Sequence, residues 1–114
     1  MSWITTHVLD TSTGRPASGV AVFLEYQEDN GTWTVLARGS TDADGRIRAF
    51  LADDAPRTPG VYRVRFAAGD YFQSQGVRGF YPEVHVVVTL DDPAGPYHIP
   101  LLLSPYGYCT YRGS

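Results

Sequence analysis

The sequence contains one cysteine, no long apolar run, no basic tract and little that reads as helix, and each shortage excludes something. Cys109 has no partner cysteine, so no intrachain disulfide forms, which fits a reducing compartment. No stretch approaches the roughly 20 apolar residues of a membrane span. Ser2, Trp3 and Ile4 follow Met1 directly, without the basic and apolar segments of a secretory signal. The final Arg-Gly-Ser differs from a Ser-Lys-Leu peroxisomal address. The expected location is the cytoplasm. A net charge of −3 without a basic run argues against nucleic acid or a membrane surface as partner. No Gly-x-Ser-x-Gly elbow and no glycine-rich phosphate loop ahead of a helix occur. Three widely spaced histidines show no zinc-type ligand spacing, so no metal is expected.

What is present reads as a β protein. Hydrophobic residues make up 43% of the 114 residues, enough to bury a core in one domain spanning 1–114. Twelve glycines and eight prolines imply many turns and few helices. Strands are predicted over 3–10, 20–27, 33–39, 46–51, 61–66, 84–90, 97–104 and 106–113. In 20–27, Val20, Val22, Leu24 and Tyr26 share a face. In 61–66, Tyr62, Val64 and Phe66 point inward and Arg63 and Arg65 outward. In 84–90, Val84, Val86, Val88 and Leu90 share a face. Asn30-Gly31 marks a hairpin with positive φ, and Pro16 with two glycines leaves 11–19 irregular. One helix is predicted over 69–77, with its body near 70–76, capped by Asp70 and stopped by Gly76. About eight short strands at even spacing predict an all-β antiparallel sandwich or barrel.

The histidines differ in setting. His85 lies opposite the valine face of its strand and reads as a partly exposed strand residue. His7 interrupts an otherwise β-branched and apolar strand. His98 stands at the mouth of the Leu101-Leu102-Leu103 run, which reads as buried on both faces. There burial would lower its pKa and keep the imidazole neutral, a form suited to a general base, although a satisfied structural histidine fits the pattern too. The Asp42-Ala43-Asp44-Gly45 segment lacks the later acidic ligands of a calcium loop and reads as a turn. Arg46 follows it, either as a surface residue or as a cation aimed into a cleft. Tyrosines at 106, 108 and 111 run almost to the chain end. Chain ends are usually frayed and polar, so either a last strand is docked or the terminus itself sits in a site.

Four stretches then carry a resemblance: THVLDTSTGRPASGV (6–20), TDADGRI (41–47), GDYFQSQGVRGFYPEV (69–84) and YHIPLLLSPYGYCTYRGS (97–114). The chain closely resembles the transthyretin-related proteins that are 5-hydroxyisourate hydrolases, over nearly its whole length. The resemblance implies a transthyretin-like sandwich of two four-stranded antiparallel sheets with one short helix. It implies a homotetramer, a dimer of dimers, with active sites in channels at the dimer–dimer interface. The family's catalytic set maps to His7, Arg46, His98 and the tail Tyr111, Arg112, Gly113 and Ser114. Of these His7, Arg46, His98 and Ser114 would act in catalysis, and His7, Arg46 and the tail would also bind substrate. No cofactor is implied. Transthyretin, the hormone carrier, lacks this histidine–arginine–histidine set, and Tyr111 would narrow its open channel to a small pocket. The competing readings are a carrier of aromatic small molecules, a purely structural sandwich, and a metal-assisted hydrolase using the same histidines.

Overall fold

A computed structural model describes residues 2–114. The strands are β1 (Ile4–Asp10), β2 (Arg15–Pro16), β3 (Ala21–Gln27), β4 (Trp33–Ser40), β5 (Arg46–Ile47), β6 (Gly60–Phe66), β7 (Val84–Leu90), β8 (Tyr97–Ser104) and β9 (Gly107–Thr110). A single helix among the described residues, α1, spans Ala68–Ser74 between β6 and β7. One sheet runs β2-β1-β8-β9, with β5 also paired to β1; the other runs β4-β3-β6-β7. The alternation read from the sequence is what closes them face to face. Val22 and Leu24 of β3, Tyr62, Val64 and Phe66 of β6, and Leu101 and Leu103 of β8 are all buried. Each such side chain contributes about 1.5–3 kcal/mol on burial. Trp3 seals one end, edge-on to Tyr62 at 5.7 Å and to Tyr97 at 5.9 Å.

Several expectations need correction. The first sheet is not wholly antiparallel: β1 and β8 pair in parallel from Ile4↔Tyr97 to Asp10↔Leu103. That sheet also gains a fifth short strand, because β2 and β5 share the edge of β1 that β8 leaves open. Arg15 and Pro16 thus form a two-residue strand inside the segment read as irregular. The strand predicted over 46–51 stops at Ile47, because Ile47 and Phe50 are both buried while Arg48 and Ala49 between them are exposed, a spacing that strict alternation cannot produce. Leu102 is half-buried, so the leucine run is not buried on both faces. In the β3–β4 connection Gly31 alone takes positive φ. Asn30 instead accepts hydrogen bonds at Oδ1 from the N–H and hydroxyl of Thr32, across a loop spanning 28–32. Ala67 occupies the helix N-cap without a side-chain bond, and Asp70 lies in the first turn, where its charge favours the helix dipole. Gly76, at φ 70°, does terminate the helix.

Two buried carboxylates hold neighbouring elements together. Asp10, 2% exposed, accepts at Oδ2 from the Tyr71 hydroxyl (2.8 Å) and at Oδ1 from the N–H of Ser12 (3.0 Å). This anchors α1 to the end of β1. Burial, then the bond to Asp10, pushes the Tyr71 pKa up to about 12. Tyr71→Phe strands a buried acceptor and should cost about 1–3 kcal/mol in urea unfolding. A loss below about 0.5 kcal/mol, the usual surface range, would contradict that anchor.

On the outer face of the second sheet, Glu25 is buried beneath two arginines. Arg63 Nε lies 2.6 Å away and Arg65 Nε 3.6 Å. Their guanidinium groups stack over Trp33 at 4.3 Å and Phe23 at 4.1 Å. The buried Glu25 charge is thus met by two arginines whose own planes rest on aromatic rings.

Candidate active site

In β1 the inward positions are Ile4, Thr6, Val8 and Asp10, so Thr5, His7 and Leu9 face outward. Antiparallel β5 sets Arg46 opposite His7. Parallel β8 sets His98 opposite Thr5 and Pro100 opposite His7. Two strand pairings therefore bring residues 7, 46 and 98 onto one outer sheet face.

The turn before Arg46 is held from both sides. Asp42 Oδ1 accepts from the N–H groups of Asp44 (2.9 Å) and Arg46 (3.0 Å). The bond from Arg46, first, holds the Asp42 carboxyl below its usual range. Gly45, at φ 75°, presses on β1: its carbonyl accepts the Val8 N–H at 2.7 Å, and an added Cβ would meet the Val8 oxygen at 2.4 Å. Arg48 takes the turn's acidic groups, lying 3.7 Å from Asp42 and 3.3 Å from Asp44. Arg46 forms no ion pair among the described residues. Its charge is left for the groove.

That groove holds about 260 Å³ and is lined by Thr5, Thr6, Arg46, Ile47, Arg48 and His98. It adjoins a hollow of about 350 Å³ that adds Ser2, Pro96, Gly113 and Ser114. His7 borders these spaces from the middle of β1 rather than lining them. The tail reaches the site by leaving its strand. β9 ends at Thr110, short of the predicted 113, and Gly113 returns to bridge His98, donating its N–H to the His98 carbonyl at 2.8 Å. A Cβ on Gly113 would sit 2.5 Å from His98 Cδ2, so the glycine lets the tail lie on the imidazole. Tyr106, Tyr108 and Tyr111 are exposed: the strand is docked by its backbone, and its tyrosines stay out of the core.

Tyr111 and Arg112 fall on the other side of His98. They line an apolar groove of about 340 Å³ with Val86, Val88, Leu90 and Ile99, and the Arg112 guanidinium lies 5.1 Å over the Tyr97 ring. His98 lines this groove as well, so Gly113 and Ser114 share their hollow with both Arg46 and His98, whereas Tyr111 and Arg112 meet His98 but not Arg46. His85 is exposed and bonded to Glu83 at 3.0 Å, as a strand-surface residue.

Both site histidines titrate below their ordinary value. For His98 the causes are burial, then the Arg46 charge, then that of His7. For His7 they are burial and the Arg46 charge, opposed by a hydrogen bond to the Asp44 backbone and by the charges of Asp42 and Asp44. At neutral pH the face therefore presents two neutral imidazoles beside Arg46, while the charge of Arg48 is met by Asp42 and Asp44. Such a set can take a proton from water and steady a developing negative oxygen. No cluster of three His, Cys, Asp or Glu able to hold a metal occurs among the described residues.

The sequence reading missed Thr5, whose Oγ1 lies 2.8 Å from His98 Nδ1. No local signal marks it, since the two residues are 93 positions apart and meet through the parallel pairing.

The two-sheet sandwich and its topology are those of a transthyretin-like protein, here with His7, Arg46 and His98 on one outer sheet face. The HIUase/Transthyretin family model matches residues 4–113, and the chain belongs to that family. It is 50% identical over 111 residues to a 5-hydroxyisourate hydrolase of Salmonella dublin, covering 97% of this chain and 80% of that protein. The solved 5-hydroxyisourate hydrolase of Klebsiella pneumoniae superposes with a TM-score of 0.85 at 35% identity, over 97% of this chain and 98% of that one. Sea bream transthyretin in complex with thyroxine superposes at 0.90 with 34% identity, over 97% and 94%. No helix among the described residues is long and apolar enough to cross a membrane.

Proposed function

We propose that this protein is a 5-hydroxyisourate hydrolase, opening the six-membered ring of 5-hydroxyisourate to 2-oxo-4-hydroxy-4-carboxy-5-ureidoimidazoline in urate degradation. The observation that carries the reading is the convergence of His7, Arg46 and His98 on one sheet face, with the chain terminus folded onto His98. Identity to the Salmonella hydrolase also exceeds that to the sea bream transthyretin.

The chemistry follows from the groups present. His98 takes a proton from water as the water oxygen attacks the ring carbonyl carbon. The carbonyl oxygen becomes an oxyanion, which Arg46 steadies with its planar fork. The ring C–N bond then breaks, and the proton returns to the leaving nitrogen. His7 positions water or substrate, and Ser114 supplies a hydroxyl at the groove wall. Water balances the reaction, with no redox change. A planar polar substrate gains much of its rate from orientation in such a confined site.

Tyr111 and Arg112 enter the account through assembly. In a dimer of dimers, the exposed apolar groove beside β7 and β9 would be covered by another copy, and Tyr111 would narrow the shared channel over the site. An exposed, unpaired Cys109 fits a reducing compartment such as the cytoplasm.

The test is turnover in water enriched in heavy oxygen. The expected product carries one heavy oxygen in its new carboxylate, formed at a rate proportional to protein. Tight binding of thyroxine without turnover would favour a carrier instead, a reading that the likeness to sea bream transthyretin keeps in view.

A further inference from the structure

Two adjacent threonines of β1 both reach β8, on opposite faces. Thr6, buried, donates its hydroxyl to the Ile99 carbonyl at 2.6 Å and fixes the strand. Thr5, on the outer face, places its hydroxyl 2.8 Å from His98 Nδ1 and so holds the ring. Gly113 lies against the Cδ2 edge of the same imidazole. Among the described residues Nε2 has no hydrogen-bond partner, and the side chain lines the groove that Arg46 shares.

A neutral imidazole has one N–H and one lone pair, and the partner of one nitrogen decides which is which. An N–H at Nε2 would turn its positive end toward a groove that already holds an unpaired cation; a lone pair would not. The favourable arrangement puts the proton on Nδ1, donated to Thr5 Oγ1. We propose that Thr5 is a positioning residue that fixes His98 in the Nδ1–H tautomer and leaves Nε2 as the proton acceptor. The proposal deepens the hydrolase reading, and its catalytic half rests on that reading.

Thr5→Val keeps a β-branched residue in the strand and removes the hydroxyl; Thr5→Ser keeps the hydroxyl. Two readouts separate the claims. Nitrogen NMR of the imidazole reports the tautomer without any turnover. The wild-type protein should show a protonated Nδ1 and a bare Nε2; Thr5→Val should show a mixture, and Thr5→Ser the wild-type pattern. In turnover, Thr5→Val should lower kcat roughly 5- to 10-fold with little change in KM, the worth of one hydrogen bond, and Thr5→Ser should restore most of it. A wild-type ring protonated at Nε2, or a tautomer unmoved by Thr5→Val, would overturn the proposal. If the tautomer shifts as expected while wild type hydrolyses nothing, the hydrolase reading fails and the positioning of the ring stands.

Discussion

Replacing His98 with alanine should lower kcat/KM for 5-hydroxyisourate by roughly 10²–10⁴-fold, the usual worth of a positioned general base. The loss should fall mainly on kcat, because the imidazole acts as the proton moves rather than as a binding surface. The fold should survive. His98 faces outward and is half-buried, while its neighbours Tyr97 and Ile99 carry the core contacts of β8. Thr5 and Gly113 lose the ring between them, so local order of the tail should loosen. The loss of rate should therefore be compared in protein whose circular dichroism and melting match wild type. Near-normal turnover by a folded His98→Ala protein would remove His98 as the base and leave His7 as the candidate.

The second large effect belongs to Arg46. Arg46→Gln should reduce kcat by roughly 10²–10³-fold, the range for loss of one oxyanion-stabilising donor. It has a second consequence that a purely structural residue would lack. The Arg46 charge is a cause of the lowered pKa of both His98 and His7. With that charge gone, both imidazoles should titrate closer to the ordinary value of about 6.5. The base works in its neutral form. Wild-type activity should therefore persist below pH 6.5 and fall as pH drops through the lowered pKa. In Arg46→Gln the residual activity should fall earlier, at higher pH. Proton NMR of the His98 ring, read in the unliganded protein, should show the same upward shift. An acid limb and a His98 titration both unmoved by Arg46→Gln would contradict the electrostatic placement of Arg46.

Much of this was legible in the residues. The alternation in 61–66 and 84–90 told the inner from the outer faces of β6 and β7, because each strand has one face in the core and one in solvent. The pattern could not tell who pairs with whom. β1 and β8 lie nearly the whole chain apart, and periodicity carries no record of a parallel neighbour. Thr5 was invisible for that reason, since its importance exists only once His98 is beside it. The same limit hid the burial of Glu25, which sits at an outward-facing position and is covered by Arg63 and Arg65 from the next strand. Strand ends failed where one large side chain overruled alternation, as Phe50 does after Ile47. The set of His7, Arg46 and His98 came from resemblance to a family, whereas spacing alone left each histidine with an ordinary structural explanation. What the fold adds is the reason that they meet: one parallel and one antiparallel neighbour on the two edges of β1.

The central claim is that the outer face of the first sheet, closed by the chain terminus, hydrolyses 5-hydroxyisourate. The most direct measurement follows the ultraviolet decay of freshly generated 5-hydroxyisourate with the full chain and with a folded version lacking residues 111–114. The account predicts rapid decay with the full chain and decay near the uncatalysed rate with the truncated one. No acceleration by correctly folded full-length protein, or equal acceleration by both, would contradict it.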